Sequence, residues 1–265
     1  MTIARLPRLA AGVPPRRRAD SRAIPASVLD EVCQSLLASI LDGTLAPGAR
    51  LSSERDLSAA LGVSRVAVRE ALRRLQEWRV VECRPSSGTT VLPRSCWTGM
   101  ALGACLSHAL GAGDLESVSL LVQDSLELRR SLLLEMIERA APRLAGQNLD
   151  RSRALAQRAW THRGDVETFL SEDRELIPGL LQEAALWASL WALNSLAETY
   201  LKAMSVLGSR FTVPTSYLPA MSTMIAALET GDGAEARRAL DRYLDDLDRC
   251  IAGSLTAVQE RRQRR

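Results

Sequence analysis

The sequence predicts a mainly α protein in which three short helices and a small β-hairpin precede an all-helical bundle. Three observations carry that reading. Apolar residues recur at helical spacing between Ala26 and Trp78, interrupted by glycines; two β-rich runs flank a turn between Val80 and Leu92; and from Trp97 to Leu255 nearly every window has a 3.6-residue period. A chain of 265 residues exceeds one minimal domain and suffices for two, each with its own core.

Val32, Leu36, Leu37 and Ile40 form the apolar stripe of a first helix over Ala26–Leu41, which Gly43 and Pro47-Gly48 end. Ser53, three residues before Asp56, is a cap for a short second helix that stops at Gly62. Ser64 caps a third helix through Trp78. Its buried face is Val68, Ala71, Leu72 and Leu75, and Arg65, Arg69 and Arg73 repeat every fourth residue on another face. VVECR and TTVL then pair around a turn at Pro85, Ser86, Ser87 and Gly88. Breaks in the helical region are expected near 111–113, 146, 164, 208 and 231–233. The organisation expected is a basic tail at 1–25, a first domain at 26–93, a linker at 94–97, a helical domain at 98–257 and a polar tail at 258–265.

With 46% apolar and 25% charged residues, the chain has the composition of a globular protein, neither collagenous nor wholly disordered. No apolar run reaches the roughly 18 residues of a membrane span, so no membrane partner is expected. Five dispersed cysteines without a CxxC pair indicate neither a disulfide framework nor a zinc knuckle, which suits a reducing cytoplasm. The first 22 residues lack the apolar stretch of a secretory signal. Charge is uneven: residues 1–94 carry 15 Arg against 9 acids, whereas residues 95–265 carry 19 Lys and Arg against 22 acids. The front segment is therefore the candidate for a polyanion.

A helix entering the major groove can set the planar donor fork of arginine against guanine, and Arg65 and Arg69 have that chemistry. The helix start at Ser64 adds backbone N–H groups that favour a phosphate. The plain alternative is a solvated arginine face.

The segment ILDGTLAPGARLSSERDLSAALGVSRVAVREALRRLQEWRVVECRPSSGTTV resembles the winged helix-turn-helix of the GntR family of bacterial transcription regulators. The match includes Gly43, Pro47-Gly48, Leu51, Glu54, Arg55, the GVSR run at 62–65, Arg69, Glu70, Leu72, Leu75, Gly88 and Val91. Ser52 stands where proline is usual, and Arg79 where glycine is usual. The resemblance implies that Arg55 contacts DNA from the second helix, that Ser64, Arg65, Val66, Ala67 and Arg69 sit at the groove, and that Ser86, Ser87 and Gly88 form the wing tip. Arg84 would stand in for a missing tip cation. A homodimer on a palindromic double-stranded operator is the expected arrangement, located in the cytoplasm and on the nucleoid when bound.

Residues 98–255 are similar to the FCD type of carboxy-terminal domain found in the FadR subfamily, through SLELRRSLLLEMIERAAPRLA, SEDRELIPGLL and MSTMIAALETGDGAEARRALDRYLDDL. Many such domains hold a divalent metal with one Asp and three His. The pattern places Asp173 at the acid and Ile177, Met221 and Tyr243 at the histidines, a set that cannot hold the ion; His108 and His162 fall elsewhere. No metal or other cofactor is therefore expected.

Arg129 interrupts an apolar stripe of Val122, Leu126, Leu133, Met136 and Ala140, and a buried arginine needs an anion. Asp173 stands alone among Phe169, Leu176, Ile177 and Leu180. Either the two pair, or Arg129 receives the carboxylate, phosphate or thioester head of a small-molecule effector. Arg129, Asp173, Ile177, Met221 and Tyr243 form the candidate effector site, whose apolar members suit an acyl ligand. Pro178 is expected to bend or interrupt the helix after Ile177. Trp187 and Trp191 are expected in core or dimer packing.

The leading expectation is a regulator whose operator affinity an effector modulates, repression being the commoner outcome in the family. An effector-independent DNA binder with a purely dimerising helical domain competes with it. An enzyme on acyl or phosphorylated substrates is remote, since no GxSxG, P-loop, dinucleotide or zinc-protease motif occurs.

Overall fold

The computed structural model describes residues 26–84, 88–196 and 212–263. It divides into two compact units, Met1–Gly113 and Asp114–Arg265.

In the first unit, α1 (Ala26–Leu41) buries Val32, Cys33, Leu36, Leu37 and Ile40 against α3. The chain leaves α1 through Gly43, whose φ of +83° suits glycine. Helix α2 (Glu54–Leu61) starts at Ser53, whose hydroxyl accepts from the Asp56 N–H at 3.3 Å and donates to the Asp56 carboxylate at 2.7 Å. That second bond holds the Asp56 carboxyl below its usual range. Gly62, left-handed at φ +67°, ends α2, and Ser64 starts α3 (Arg65–Glu77) by accepting from the Ala67 N–H at 3.1 Å. The two caps, Gly62 and Ser64, separated by Val63 alone, make the tight turn. The inward face of α3 is Ala67, Val68, Ala71, Leu72 and Leu75.

Strands β1 (Val81–Arg84) and β2 (Gly88–Val91) pair antiparallel with Val81 opposite Val91 and Arg84 opposite Gly88. The segment before α2 adds a third edge: Val91 N–H donates to the Ala49 carbonyl and Leu51 N–H to the Thr89 carbonyl, both at 2.9 Å, with Arg50 bridged to Thr90.

Arg79, between α3 and β1, has a φ of +56°, which explains why glycine is usual there. A side chain in this region costs about 1 kcal/mol or more. The exposed bond from Arg79 Nε to the Cys96 carbonyl, at 3.3 Å, offsets only part of it. Arg79→Gly is therefore expected to stabilise the unit by up to about 1 kcal/mol, read as a rise in melting temperature; a fall would mean that the bond outweighs the backbone strain.

The boundary between units lies later than the 94–97 expected from sequence. Leu92 N–H donates to the Val80 carbonyl and Thr98 N–H to the Trp78 carbonyl, both at 2.9 Å. Arg94 donates to the Leu41 carbonyl at the end of α1, at 3.1 Å. Two short 3₁₀ turns lead into α4 (Leu102–Ala112), and Ala101, Ala104 and Cys105 join the core around α1. Residues 92–112 are thus fastened to the first unit up to Gly113.

The second unit is helical throughout its described residues: α5 (Leu115–Leu144), α6 (Asp150–Thr161), α7 (Val166–Asp173), α8 (Leu176–Glu183), α9 over 187–196, α10 (Tyr217–Thr230) and α11 (Gly233–Gln263). Helix α11 packs on α10 and α5, and α10 also lies against α6. A Cβ on Gly233 would stand 2.8 Å from the Glu138 carbonyl, so glycine lets α11 begin against the backbone of α5. Glu229 of α10 accepts from the Leu149 N–H at 3.0 Å and pairs with Arg153, fixing the start of α6. The break expected after Ile177 falls earlier, between Asp173 and Leu176. Pro178 lies in the first turn of α8, where a missing N–H costs no helical bond. The break expected near 208 lies outside the described residues. Trp187 and Trp191, expected in packing, are 48% and 63% exposed.

Candidate nucleic-acid interface and effector centre

The arginines of α3 and the wing separate by their partners. Arg73 donates to Glu70 at 2.8 Å, a bond that holds the Glu70 carboxyl below its usual range, and it also pairs with Glu77. Arg74 pairs with Asp30 of α1 and lies over the Trp78 ring. Arg84 pairs with Glu82 at 2.9 Å. Arg65 and Arg69 are exposed and form no ion pair with any described residue. Arg55 on α2 is exposed, with Asp56 3.5 Å from its Nε.

Val66 is 54% exposed beside Arg65, and Ser64 is exposed with its hydroxyl engaged as the cap. Ala67 corrects the expectation of a groove-facing side chain: it is 1% exposed. Its spacing explains this, since Ala67 lies one turn before Ala71 and two before Leu75 on the core face. Gly88 opens β2 at φ +79°. Ser86 and Ser87 lie outside the described residues.

In the second unit, Arg129 does not pair with Asp173. Its guanidinium donates to Asp248 of α11 at 2.7 Å, with side-chain exposures of 12% and 21% for the two partners. Arg130 beside it donates to Asp241 at 2.7 Å and Asp245 at 3.2 Å. Helices α5 and α11 are therefore joined by a charged seam, and Asp173 feels Arg129 only through its field.

Asp173, half-buried at the end of α7, faces the hydroxyl of Tyr217 at the start of α10, although no hydrogen bond of full geometry closes between them. Burial pushes the Asp173 carboxyl up to about 6, against the lowering effects of Tyr217 and Arg129. Tyr217 is completely buried, and its hydroxyl is raised by the same desolvation. Around its ring stand Tyr243 at 5.2 Å and Phe169 at 5.0 Å, both edge-on, with Trp160 stacked at 6.2 Å. Met221 is buried one turn along α10, and Ile177 is half-buried on α8. The structure thus joins Asp173 and Tyr243 through Tyr217. The sequence singles out neither Tyr217 nor Asp248: the former looks like an ordinary helix start, and the latter is one acid in the run DDLD.

Residues 29–91 match the model of the bacterial regulatory proteins, gntR family, and residues 124–246 match the FCD domain. The chain joins a gntR-family domain to an FCD domain. It is similar to the HTH-type transcriptional regulator Mce2R of Mycobacterium tuberculosis, 37% identical over 129 residues that cover 49% of this chain and 54% of that protein. It is also similar to the fatty acid metabolism regulator protein of Edwardsiella ictaluri, 30% identical over 145 residues that cover 55% and 57% of the two chains. The chain spans about half the length of these curated relatives. Among solved structures, Lar of Listeria monocytogenes shares the fold with a TM-score of 0.53 at 16% identity, over 86% of this chain and 97% of that one.

The GntR-family FCD domain implies a divalent metal, and the residues here do not fit one. Asp173 is the only carboxylate of its set, beside isoleucine, methionine and a buried tyrosine. Among the described residues no group of three or more His, Cys, Asp or Glu side chains is placed to hold a metal ion. His162 bonds Glu172 at 2.8 Å on the surface, and His108 lies on α4 in the other unit.

Proposed function

We propose that this chain is a DNA-binding transcription regulator, a homodimer whose two α3 helices enter successive major grooves of a palindromic operator in the cytoplasm. Arg65 and Arg69 read bases, while Arg55, Ser64, Val66 and Gly88 position the duplex. The observation that carries this reading is the division of arginines along α3: Arg73 and Arg74 are neutralised by acids, whereas Arg65 and Arg69, next to the capped start, are exposed and form no ion pair with a described residue. A mobility shift on the DNA upstream of its own gene, compared between wild type and Arg65→Ala, tests it.

The second unit receives a small-molecule effector at the centre formed by Arg129, Asp173, Ile177, Met221 and Tyr243. An acyl or carboxylate-bearing ligand suits this centre. Its anionic head would exchange with Asp248 for Arg129, and its chain would lie on the apolar and aromatic side chains; similarity to a fatty acid metabolism regulator agrees with that chemistry. To alter operator affinity, the ligand must bind two arrangements of the dimer unequally. A thermal-shift screen of fatty acids, acyl-CoAs and small organic acids should raise the melting temperature of wild type, and Arg129→Ala should lose the shift. No shift with any of them would favour the reading in which the aromatic cluster simply fills the core and the domain only dimerises.

A further inference from the structure

The wing described above poses a problem of charge. Its turn, Pro85, Ser86, Ser87 and Gly88, is uncharged in sequence, and Arg84, the cation nearest to it along the strand, is paired with Glu82. A wing that meets a polyanion needs a cation from elsewhere.

We infer that Arg50 supplies it, as a phosphate-contacting residue at the base of the wing that Gly88 holds in place; the inference rests on the DNA-binding reading above. Arg50 precedes α2 by sequence but belongs to the sheet, where it is bridged to Thr90 and flanked by the bonds from Val91 to Ala49 and from Leu51 to Thr89. Its guanidinium lies against Gly88: a Cβ there would stand 2.9 Å from Arg50 Nε and 3.0 Å from Nη2. Glycine suits position 88 for its φ of +79°, and the Arg50 guanidinium lies over the space that a Cβ would take, from which such a Cβ would push it.

Arg50 is exposed and forms no ion pair with any described residue. Other cations of this unit are committed: Arg73, Arg74 and Arg84 to acids, Arg79 to the Cys96 carbonyl and Arg94 to the Leu41 carbonyl. A guanidinium already laid along the sheet loses little rotamer freedom when a phosphate arrives. Lying at the base of the wing, it contacts the backbone and carries no sequence information. Arg50, not Arg84, is thus the cation of the wing.

Fluorescence anisotropy on the full-length protein tests this, with a duplex from upstream of its own gene and a scrambled duplex of the same composition, each titrated over a range of KCl. Arg50→Ala is expected to weaken binding to both duplexes about equally, by roughly 3–10 fold at moderate salt, and to lower the slope of log K against log salt by about 1. Arg84→Ala is expected to change neither. Gly88→Ala should reproduce the loss by displacing the guanidinium. Should Arg50→Ala lower the melting temperature, Arg50→Gln, which keeps the stem and removes the charge, gives the same reading. An unchanged slope and affinity, or a loss confined to the upstream duplex, would overturn the inference. Wild type binding neither duplex would instead sink the DNA-binding reading itself.

Discussion

Arg65→Ala is expected to reduce affinity for the upstream duplex by at least tenfold while leaving affinity for scrambled DNA within a few fold. A bidentate arginine–guanine contact contributes about 1–3 kcal/mol of discrimination, and a two-fold dimer loses it at both half-sites. The side chain is exposed and makes no ion pair with described residues, so its removal leaves the fold intact and the melting temperature unchanged. Arg73→Ala is the matched comparison: its guanidinium is held by Glu70 and Glu77, and its loss should leave discrimination untouched. If both variants weaken upstream and scrambled duplexes alike, α3 contributes charge alone.

Asp173→Asn should stabilise the protein at pH 7.5 by about 1–3 kcal/mol, with no gain near pH 3.5. The sign follows from the direction of the shift. The carboxyl stands at about 6 in the folded chain, because burial outweighs the help of Tyr217 and Arg129, and near 3.9 when unfolded. The folded state therefore holds its proton more tightly. Stability associated with this group is fully present below about pH 4 and is lost as pH rises through 6. Asparagine keeps the shape and a hydrogen-bonding group toward Tyr217 without the charge. Denaturant titrations of both proteins at pH 3.5, 5 and 7.5 should give a difference that grows through this window; a constant difference would mean that the carboxyl is not held up by burial. A centre that bears this cost near neutrality is a natural receiver for a ligand that alters the charge balance around Asp173 and Arg129.

Much of the first unit is legible in sequence because its signals are local. Ser53 and Asp56, Gly62, Ser64 and the period of Val68, Ala71, Leu72 and Leu75 each specify a helix end or face within one turn of themselves. The inward turn of Ala67 is equally local, although proximity to Arg65 in number disguises it. Arg50 is not legible, since its place beside Gly88 depends on a strand bridge to Thr90, 40 residues along the chain. The destination of α4 is also hidden: small apolar residues such as Ala101, Ala104 and Cys105 serve either core, and periodicity does not say which. In the second unit the oddity of Arg129 is visible, but its partner is not. Asp173 interrupts an apolar stretch whereas Asp248 is one acid among several in α11, and only the packing of α11 on α5 selects Asp248. The site thus follows from sequence where one helix decides it and not where two helices must meet.

The most direct test of the central claim is selection of bound duplexes from a random pool by wild type and by Arg65→Ala. The account predicts a two-fold symmetric consensus containing guanine in each half-site for wild type, with preference at that guanine relaxed in the variant. An identical consensus from both proteins would contradict it.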